Sequence, residues 1–419
     1  MVESVGIGTV VIVSITVFLL IILLLVALLL YARKKLTPQG KVKITINDEK
    51  ELEVQPGSSL LSTLASHKIF LPSACGGGGT CGTCICKVED GGGSILPTET
   101  GFFSRKQQQE NWRLGCQVKV REDLKIRIAP EIFGIKKWEC EVISNRNVAT
   151  YIKEFVVRLP EGERLDFRSG GYIQIDVPPV EVNYASDIVV DPEYLAEWEQ
   201  LGIFTLKMKS SEPVFRAYSM ANHPAEDNII MLNIRIATPP WDRKNNRFMK
   251  VNPGICSSYI FSRKPGDKVI ISGPYGEFFI KDTNREMMFI GGGAGMAPMR
   301  SHIFHLFNTL HTHRKATFWY GGRSVRELFY VDDFRKIEAE NPNFSFHIGL
   351  SAPAKEDNWN GYVGFIHQMV LDKYLNTHEE PEEIEYYLCG PPMMNDAVFR
   401  MLDSLGVPPE MIAYDDFGG

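Results

Sequence analysis

An uncharged apolar run near the amino terminus constrains the fold of this chain more than any other feature. The run VGIGTVVIVSITVFLLIILLLVALLLYA extends from Val5 to Ala32 and contains no charged residue. A bilayer span needs about 20 apolar residues, so this run predicts a membrane-spanning helix. A secretory signal peptide is the alternative, but no Lys or Arg precedes the run, the run is too long, and no small-residue cleavage site follows it.

Charges on the two sides of this run predict its orientation. Arg33, Lys34 and Lys35 follow the run directly, whereas the preceding side carries Glu3. The positive-inside rule then places everything after the run in the cytoplasm. A net charge of −6 argues against nucleic acid as the main partner. Because a reducing cytoplasm disfavours structural disulfides, clustered cysteines there indicate metal or redox roles.

Three further regions follow the predicted anchor, which occupies residues 1–36. Residues 37–130 alternate between short strands and short helices, which predicts a small α+β domain. Residues 131–285 contain regular β runs with Pro/Gly turns, which predict an antiparallel barrel, and a less regular stretch at 179–213 looks like an insertion. Residues 286–419 alternate buried strands with helical segments, the pattern of a parallel α/β domain.

Four cysteines fall within the short stretch CGGGGTCGTCIC, from Cys75 to Cys86. The spacing is C-x5-C-x2-C, and Cys116 follows downstream. Zinc sites usually pair two C-x2-C knuckles, or one knuckle with histidines, and this loop has a single knuckle and no histidine. A [2Fe–2S] cluster needs four thiolates, which plant-type ferredoxins supply as three from one loop and one from downstream. Glycine permits the close wrapping that such a loop needs.

This loop, and the strand–turn–strand–helix before it, resemble the plant-type and adrenodoxin-type ferredoxins, which have a β-grasp fold. The resemblance implies a [2Fe–2S] cluster with ligands Cys75, Cys81, Cys84 and Cys116. The first gap has one residue more than the plant spacing, as in adrenodoxin-like members. Cys86 departs from the pattern and is either a small buried side chain or a substitute ligand.

Three motifs in the barrel region occur in a characteristic order. They are RAYS at Arg216–Ser219, GICSSYIF beginning at Gly254, and GPYGEF at Gly273–Phe278. In that order and spacing they resemble the ferredoxin–NADP reductase superfamily. The resemblance implies FAD as the cofactor of the barrel.

Each flavin motif has a chemical role that follows from this resemblance. Arg216 would grip the FAD pyrophosphate with its planar guanidinium, Tyr218 would lie against the isoalloxazine ring, and Ser219 would hydrogen-bond the reactive flavin nitrogen. The helix opened by the second motif would receive the remaining phosphate charge at its N-terminus. The residues concerned are Gly254, Ser257 and Ser258.

Two loops in the α/β region predict a nicotinamide nucleotide site. FIGGGAGMAPMR, at Phe289–Arg300, reads as strand, glycine loop and helix start, and it matches the superfamily's GGGxGxAP loop rather than the GxGxxG fingerprint. LCGPPMM, at Leu388–Met394, follows a strand, where a cofactor-contacting loop is expected. The implied binding residues are Gly292, Gly293, Ala294, Gly295, Met296, Pro298, Gly390, Pro391 and Met393.

The superfamily resemblance also implies catalytic residues. Cys389 is expected beside the nicotinamide, where it would help to align hydride transfer together with Ser219; its alternative is a buried thiol used only for packing. Phe417, in the terminal YDDFGG, is expected to cover the flavin face, and a frayed terminus is the alternative. Arg323 and Arg326 could accept the 2′-phosphate of NADPH. The form GxRSxxELFY nevertheless resembles the NADH-using branch, so NADH is the expected donor.

Together these features predict a chain that receives electron pairs and passes on single electrons. NADH delivers a hydride to FAD, and a [2Fe–2S] cluster accepts one electron at a time. The anchor, the insertion and the DDFGG ending make the whole chain resemble the F subunits of bacterial sodium-translocating NADH:quinone oxidoreductases. That resemblance implies a single-pass protein of the bacterial inner membrane, with its other domains in the cytoplasm.

The same resemblance implies partners. Electrons would leave the cluster for other membrane subunits of a multi-subunit respiratory complex and reach ubiquinone indirectly. The anchor contains no ionisable residue, so sodium transport is expected to belong to the partners. The reductase component of a membrane oxygenase is an alternative, because it has the same three modules. A tethered, non-catalytic redox or flavin-binding module is a third reading, which the intact cofactor loops disfavour.

Overall fold

The computed structural model of the chain describes residues 2–36 and 40–415. Its internal contacts divide it into two compact units. The first comprises Met1–Pro72 and Gly77–Gly134, and the second comprises Ser73–Gly76 and Ile135–Gly419. The anchor and the predicted α+β domain therefore belong to the first unit, and the barrel and the α/β domain belong together in the second.

The apolar run forms part of one continuous helix, α1, at Val2–Leu36. Its central stretch Val11–Leu29 is long and apolar enough to cross a membrane, and none of that stretch is buried. It is the one helix in residues 2–36 and 40–415 that meets this criterion. The predicted helix is confirmed by its length and composition.

The rest of the first unit is built on a five-stranded mixed sheet. Its strands are β1 Val42–Ile46, β2 Lys50–Val54, β3 Ile85–Asp90, β4 Trp112–Leu114 and β5 Leu124–Arg127. They lie in the order β2-β1-β5-β3-β4, with β1 and β5 parallel and the other pairs antiparallel. This arrangement agrees with the predicted β-grasp domain.

Two short helices accompany this sheet, α2 at Leu60–Ser66 and α3 at Arg105–Gln109. The Ser59 hydroxyl accepts a hydrogen bond from the Ser62 amide at 3.2 Å, so Ser59 is the predicted cap of α2. The strand predicted over LGCQVKV is wrong beyond its first residue. The strand ends at Leu114 and Cys116 lies in a turn, because the Gln117 amide bonds back to the Leu114 carbonyl at 2.8 Å.

The barrel of the second unit is an antiparallel six-stranded sheet closed on itself. The barrel region contains β6 Lys136–Ala149, β7 Ile152–Arg158, β8 Tyr172–Val177, β9 Val180–Asn183, β10 Lys207–Ser210, β11 Val214–Ser219, β12 Ile229–Arg235, β13 Trp241–Asp242, β14 Arg247–Phe248 and β15 Lys268–Tyr275. The barrel order is β11-β8-β15-β6-β7-β12. A bridge between Met220 and Leu232 joins the two edges, and the predicted antiparallel barrel is thereby confirmed.

The stretch at 179–213 packs onto the barrel. It contains the antiparallel pair β9 and β10 and two short helices, α4 at Tyr184–Asp187 and α5 at Leu195–Gln200. The Trp198 side chain is fully buried, and its Nε1 donates to the Thr150 carbonyl at 2.7 Å. The buried Lys153 ammonium donates to the Val189 carbonyl at 2.6 Å. We therefore treat this insertion as part of the barrel's core and not as a loose loop.

The α/β domain has a fully parallel six-stranded sheet. Its strands are β16 Met287–Gly292, β17 Ala316–Gly322, β18 Phe344–Leu350, β19 Tyr362–Val363, β20 Glu385–Cys389 and β21 Ile412–Asp415. The order β19-β18-β17-β16-β20-β21 reverses between β16 and β20. Helix α6, at Ile255–Phe261, belongs to the barrel, and those of the α/β domain are α7 Met296–Phe304, α8 Val331–Glu340, α9 Ile366–Lys373 and α10 Pro392–Ser404. Ligands of such sheets bind at the switch point, outside the carboxyl ends of the strands.

Candidate functional site

The two predicted nucleotide loops leave neighbouring strands at this switch point. Gly291 in β16 is paired with Cys389 in β20. A Cβ atom on Gly295 would lie 2.1 Å from the Cys389 carbonyl oxygen and 2.8 Å from the Gly390 nitrogen. Only glycine therefore allows the two loops to touch, and one on Gly292 would lie 3.0 Å from the Gly321 carbonyl oxygen. The structure brings the predicted glycines of both loops together.

The remaining predicted nucleotide positions divide into two groups. Met296 and Pro298, in the first turn of α7, are buried in the domain core. Gly293 and Ala294 are half-buried. Pro391 and Met393 face solvent, and Met393 is 85% exposed. The buried pair thus fixes the start of the helix, while the others remain accessible to a ligand.

One carboxylate connects the flavin motif to the nucleotide motif. Ser219, at the end of β11, donates its hydroxyl to Asp415 Oδ2 at 2.5 Å. Asp415, at the end of β21, is paired in register with the fully buried Cys389. The predicted Ser219 and Cys389 are therefore linked through a residue that sequence reasoning did not single out. Asp415 belongs to the quoted YDDFGG, whereas Phe417 lies outside the described residues.

The other two RAYS residues share the opposite face of β11, because side chains alternate along a strand. Arg216 is exposed, and its Nη1 donates to the Phe215 carbonyl at 2.8 Å. Tyr218 packs against the barrel core. Burial raises the pKa of its phenol well above the usual value, so the ring stays neutral. The strand thus presents a cation and an aromatic ring on the same face.

Gly254 caps α6, as predicted, in a tightly packed position. Its amide donates to the Ala237 carbonyl at 2.8 Å, and a Cβ would lie 2.5 Å from Ala237 Cβ. Ser257 Oγ accepts from the Ala237 amide at 3.1 Å. Ser258 Oγ donates to the Gly254 carbonyl at 2.6 Å and lies 2.6 Å from the Tyr184 hydroxyl of the insertion. Both serine hydroxyls therefore hold the helix start, and a phosphate would have to exchange with these partners.

A cleft of about 750 Å³ opens directly before this helix. Trp241 and Phe248, from the small β13–β14 hairpin, line it and contact each other edge to face with ring centroids 5.0 Å apart. Arg247 and Lys250 line the same cleft. An aromatic platform beside two cations suits a nucleotide, whose base can stack while its phosphates pair. Sequence reasoning missed this cleft, because its residues carry no recognisable spacing.

Three of the predicted cluster ligands lie in the first unit. The buried Cys84 thiol is hydrogen-bonded to Cys116, and this bond and burial raise its pKa well above the usual value, with Cys81 near enough to contribute. Cys75 belongs to the segment Ser73–Gly76 that groups with the second unit. All eight cysteines lie within the described residues, and no disulfide joins any of them.

The arrangement of these thiols bears on the zinc alternative. In the described part of the chain, no three His, Cys, Asp or Glu side chains form the compact group that a single metal ion requires. A two-iron cluster distributes four thiolates over two ions and needs no such compact group. The thiol-only donor set is the one that iron–sulfur clusters use, so the residues fit the predicted [2Fe–2S] group better than zinc.

Glycines of the cysteine loop adopt backbone angles that other residues avoid. Gly79 has φ +77° and Gly82 has φ +71°. A Cβ on Gly79 would lie 2.5 Å from Gln117 Nε2, and one on Gly82 would lie 2.6 Å from the Phe102 ring. The loop therefore depends on glycine for its conformation, as a loop that wraps a cluster would.

Cys86 is fully buried, and its thiol donates to the Arg113 carbonyl at 3.8 Å. Burial raises its pKa to about 12, which supports its reading as a packing residue. Arg113 also forms an ion pair with Glu99 at 2.8 Å, with side chains 4% and 0% exposed. Glu99 in turn accepts from the Leu114 amide at 2.9 Å. This buried pair fixes the strand that leads to Cys116, and sequence reasoning missed it.

Polar contacts also join the barrel to the α/β domain within the second unit. The Tyr330 hydroxyl donates to Glu154 Oε2 at 2.6 Å. Arg300, at the end of the predicted glycine-loop motif, pairs with Glu226 at 2.7 Å. Both contacts cross from one domain to the other, so the nucleotide loops have a defined position against the barrel.

Three sequence families match consecutive parts of the chain. Residues 44–121 match the 2Fe-2S iron-sulfur cluster binding domain. Residues 201–280 match the oxidoreductase FAD-binding domain, and residues 289–399 match the oxidoreductase NAD-binding domain. The order of the matches is the order predicted from the motifs.

Several curated relatives are similar over nearly the whole chain. The F subunit of the Na(+)-translocating NADH-quinone reductase of Methylococcus capsulatus is 54% identical over 391 residues, which cover 93% of this chain and 95% of the relative. The F subunit of the same enzyme in Neisseria gonorrhoeae is 54% identical over 409 residues, covering 98% and 100%. That of Psychrobacter arcticus is 56% identical over 393 residues, covering 93% and 94%.

Solved structures show the same fold at lower identity. A cytochrome P450 reductase from Amycolatopsis matches with a TM-score of 0.62 and 21% identity, covering 90% of this chain and 98% of that one. A ferredoxin reductase in carbazole 1,9a-dioxygenase matches with a TM-score of 0.58 and 26% identity, again covering 90% and 98%. The predicted combination of ferredoxin, flavin and nucleotide domains is confirmed.

Proposed function

This chain belongs to the family of F subunits of the Na(+)-translocating NADH-quinone reductases, and on that premise we propose how its residues carry electrons from NADH toward quinone. The chain is an oxidoreductase subunit with NAD-, FAD- and [2Fe–2S]-binding domains. An identity of 54–56% over nearly the full chain favours this function over the oxygenase-reductase alternative, whose solved members are 21–26% identical.

The nicotinamide nucleotide binds at the switch point of the parallel sheet. The close contact of Gly295 with the Cys389 carbonyl supports this, because it forms one continuous surface from both loops. Backbone amides at the start of α7 stabilise the pyrophosphate. The residues proposed for this role are Gly292, Gly293, Ala294, Gly295, Met296, Pro298, Gly390, Pro391 and Met393.

FAD binds across the open face of β11 and the cleft before α6. Arg216 pairs with its pyrophosphate, Tyr218 packs against its ring, and the cleft beside Trp241 takes the adenosine end. The start of α6 adds amide donors at Gly254, Ser257 and Ser258. An exposed guanidinium, a neutral phenol and a deep aromatic cleft on successive elements support this assignment.

The Ser219–Asp415–Cys389 arrangement is the single observation that carries the proposed hydride-transfer site. Because Ser219 donates its proton to Asp415 Oδ2, its oxygen retains lone pairs that can accept a hydrogen bond from a reduced flavin nitrogen. Cys389, paired in register with Asp415, positions the nicotinamide ring against the same point. We assign Phe417 to the covering of the flavin face, which excludes water until the nucleotide arrives.

Cys75, Cys81, Cys84 and Cys116 are the proposed cluster ligands. When bound, FAD supplies exchange between paired and single electrons, and the [2Fe–2S] cluster supplies one-electron transfer. The glycines of the loop keep its backbone close to the cluster, where amide donors stabilise the charged sulfur atoms. Cys86 stays a protonated packing residue.

The remaining assignments concern domains, membrane and partners. We assign residues 1–36 to the anchor, 37–130 to the ferredoxin domain, 131–285 to the FAD barrel and 286–419 to the NADH domain. The anchor crosses the bacterial inner membrane once and leaves the other domains in the cytoplasm, which the basic residues after it support. The chain is one component of a multi-subunit complex, and electrons pass to its membrane partners and through them to ubiquinone.

The test uses the full chain purified in detergent with FAD and cluster present. We expect NADH-dependent reduction of ferricyanide and, after NADH addition, the EPR spectrum of a reduced [2Fe–2S] cluster. Cys84→Ser should abolish the EPR signal but keep ferricyanide reduction, whereas Cys86→Ala should keep both.

Two results would contradict the proposal. Loss of the EPR signal in Cys86→Ala would overturn the ligand assignment. Co-purification from mildly solubilised membranes with an oxygenase, and without flavin-bearing membrane subunits, would overturn the respiratory function.

A further inference from the structure

The residues that follow β17 occupy the position from which a nucleotide-binding sheet reads the adenosine ribose. β17 lies beside β16, whose glycine loop receives the pyrophosphate, and it ends at Gly322. In such sheets a carboxylate near this point bonds the ribose 2′-hydroxyl of NADH, or an arginine accepts the 2′-phosphate of NADPH. Arg323 and Arg326 lie here, and an unopposed arginine would favour NADPH.

Arg326 is not unopposed. Its Nη1 lies 2.6 Å from Glu197 Oε1, with side chains 43% and 29% exposed. The guanidinium also lies over the Tyr194 ring, 5.6 Å from its centroid. Glu197 and Tyr194 both belong to the insertion at 179–213, so a segment of the barrel reaches the nucleotide-binding domain.

The insertion holds Glu197 in place. The neighbouring Trp198 is fully buried, bonds the Thr150 carbonyl at 2.7 Å, and stacks on Phe261 with centroids 6.0 Å apart. The second oxygen of Glu197, Oε2, is buried and has no hydrogen-bond partner among the described residues. The carboxylate therefore has Arg326 as its one ion-pair partner in that part of the chain, and its position is fixed by the helix that carries it.

We propose that Glu197 is a specificity-determining residue that selects NADH over NADPH. It neutralises Arg326 and places a negative charge where a 2′-phosphate would otherwise pair with that arginine. A phosphate competing for Arg326 must break a short, partly shielded ion pair and approach a carboxylate of the same sign. The ribose hydroxyl of NADH carries no charge and meets no such repulsion. This inference rests on the proposed oxidation of NADH.

The test compares wild type with Glu197→Gln, Arg326→Gln and the double variant in the full chain. For each, kcat/KM is measured with NADH and with NADPH, and inhibition is measured with AMP and with adenosine 2′,5′-bisphosphate. Glu197→Gln should raise the NADPH/NADH ratio of kcat/KM about tenfold or more, since a charge-assisted bond to the phosphate becomes available. It should strengthen inhibition by the bisphosphate and leave inhibition by AMP unchanged.

Two variants separate specificity from general disturbance. The double variant should lose the gain, because Arg326 is then absent, and Arg326→Gln alone should weaken the bisphosphate further. Glu193→Gln removes the same charge from an exposed position of the same insertion that has no ion pair among the described residues, and it should leave the ratio at the wild-type value.

The outcomes distinguish this inference from the proposed function. An unchanged ratio and unchanged bisphosphate inhibition in a folded Glu197→Gln protein overturn the role of Glu197 while leaving NADH oxidation intact. If Glu197→Gln does not fold, an unaltered bisphosphate affinity in Arg326→Gln overturns it equally. A wild-type chain that oxidises neither nucleotide refutes the proposed function instead.

Discussion

The two units hold their candidate cofactor loops by different physical means. In the first unit the cysteine loop depends on left-handed glycines such as Gly82, and its clashing neighbours are side chains. In the second unit the nucleotide loop touches backbone, and Gly295 itself has φ −62°. Glycine thus supplies conformation in one loop and close approach in the other.

The units also differ in how they treat buried polar groups. The first buries a compensated charge, the Glu99–Arg113 pair, in which both side chains are almost fully enclosed. The second buries an uncharged imidazole, His302, at 0% exposure. Its ring nitrogens lack a hydrogen-bond partner of normal geometry in the described residues, although the Phe278 carbonyl lies close enough to favour the charged form slightly. A compensated pair and a neutral ring respond differently to mutation and to pH.

The largest effect is expected from Glu99→Gln in the first unit. The substitution leaves the Arg113 charge buried without its counterion and should reduce the free energy of unfolding of that unit by about 3–5 kcal/mol. Urea unfolding, followed by a probe within the unit, measures this loss. Glu53→Gln is the matched control, because its partner Lys41 and Glu53 itself are both largely exposed. Equal stabilities for the two variants would show that the buried pair does not support the cysteine loop.

Gly295→Ala tests the contact that distinguishes the nucleotide loop. Since φ at Gly295 is allowed for alanine, the effect is purely steric, and the Cys389 backbone must move. A displacement of about 1 Å can cost about 100-fold in rate, so we expect kcat/KM for NADH to fall by about that factor.

Gly82→Ala is the counterpart in the cysteine loop. There the Phe102 ring can rotate away, and the left-handed backbone costs about 1–2 kcal/mol, so ferricyanide reduction with NADH should be preserved. If Gly295→Ala keeps full activity, the contrast between the two loops is wrong.

The parts of this molecule that the sequence predicts well are local. The cysteine spacing, the RAYS strand and the glycine loop each lie within about a dozen residues, where turn chemistry and strand alternation decide the conformation. Strand propensity alone misplaced Cys116, because the bond between the Gly115 amide and the Cys84 carbonyl at 2.7 Å and the following turn override the alternation.

Long-range pairs were not predictable for a different reason. Ser219 and Asp415 are 196 residues apart, and Glu99 lies 14 residues from Arg113 in another element. Glu197 meets Arg326 only because the insertion docks through Trp198. Such pairs depend on which elements become neighbours after folding, and no spacing in a single sequence encodes that.

The smallest effect is a pH dependence that should appear in the second unit. Burial lowers the pKa of His302 to about 3, and repulsion from His305 acts in the same direction. Because the folded-state pKa lies below the unfolded value of about 6.5, protonation favours the unfolded chain. Stability is therefore complete above about pH 6.5 and is lost progressively as pH falls toward 3. Between about pH 7.5 and about pH 5 the second unit should lose about 2 kcal/mol.

Thermal unfolding of the full chain at several pH values measures this loss, with probes assigned to each unit. His302→Gln removes the titrating group, so the variant should show a smaller pH slope than wild type. The slope that remains should come from His223 and His305, whose pKa values burial also lowers. The first unit, whose described histidine His67 is exposed, should change little over the same range. If acid destabilises both units equally, the buried imidazole is not the cause, because the compensated Glu99–Arg113 pair provides no comparable proton uptake on unfolding.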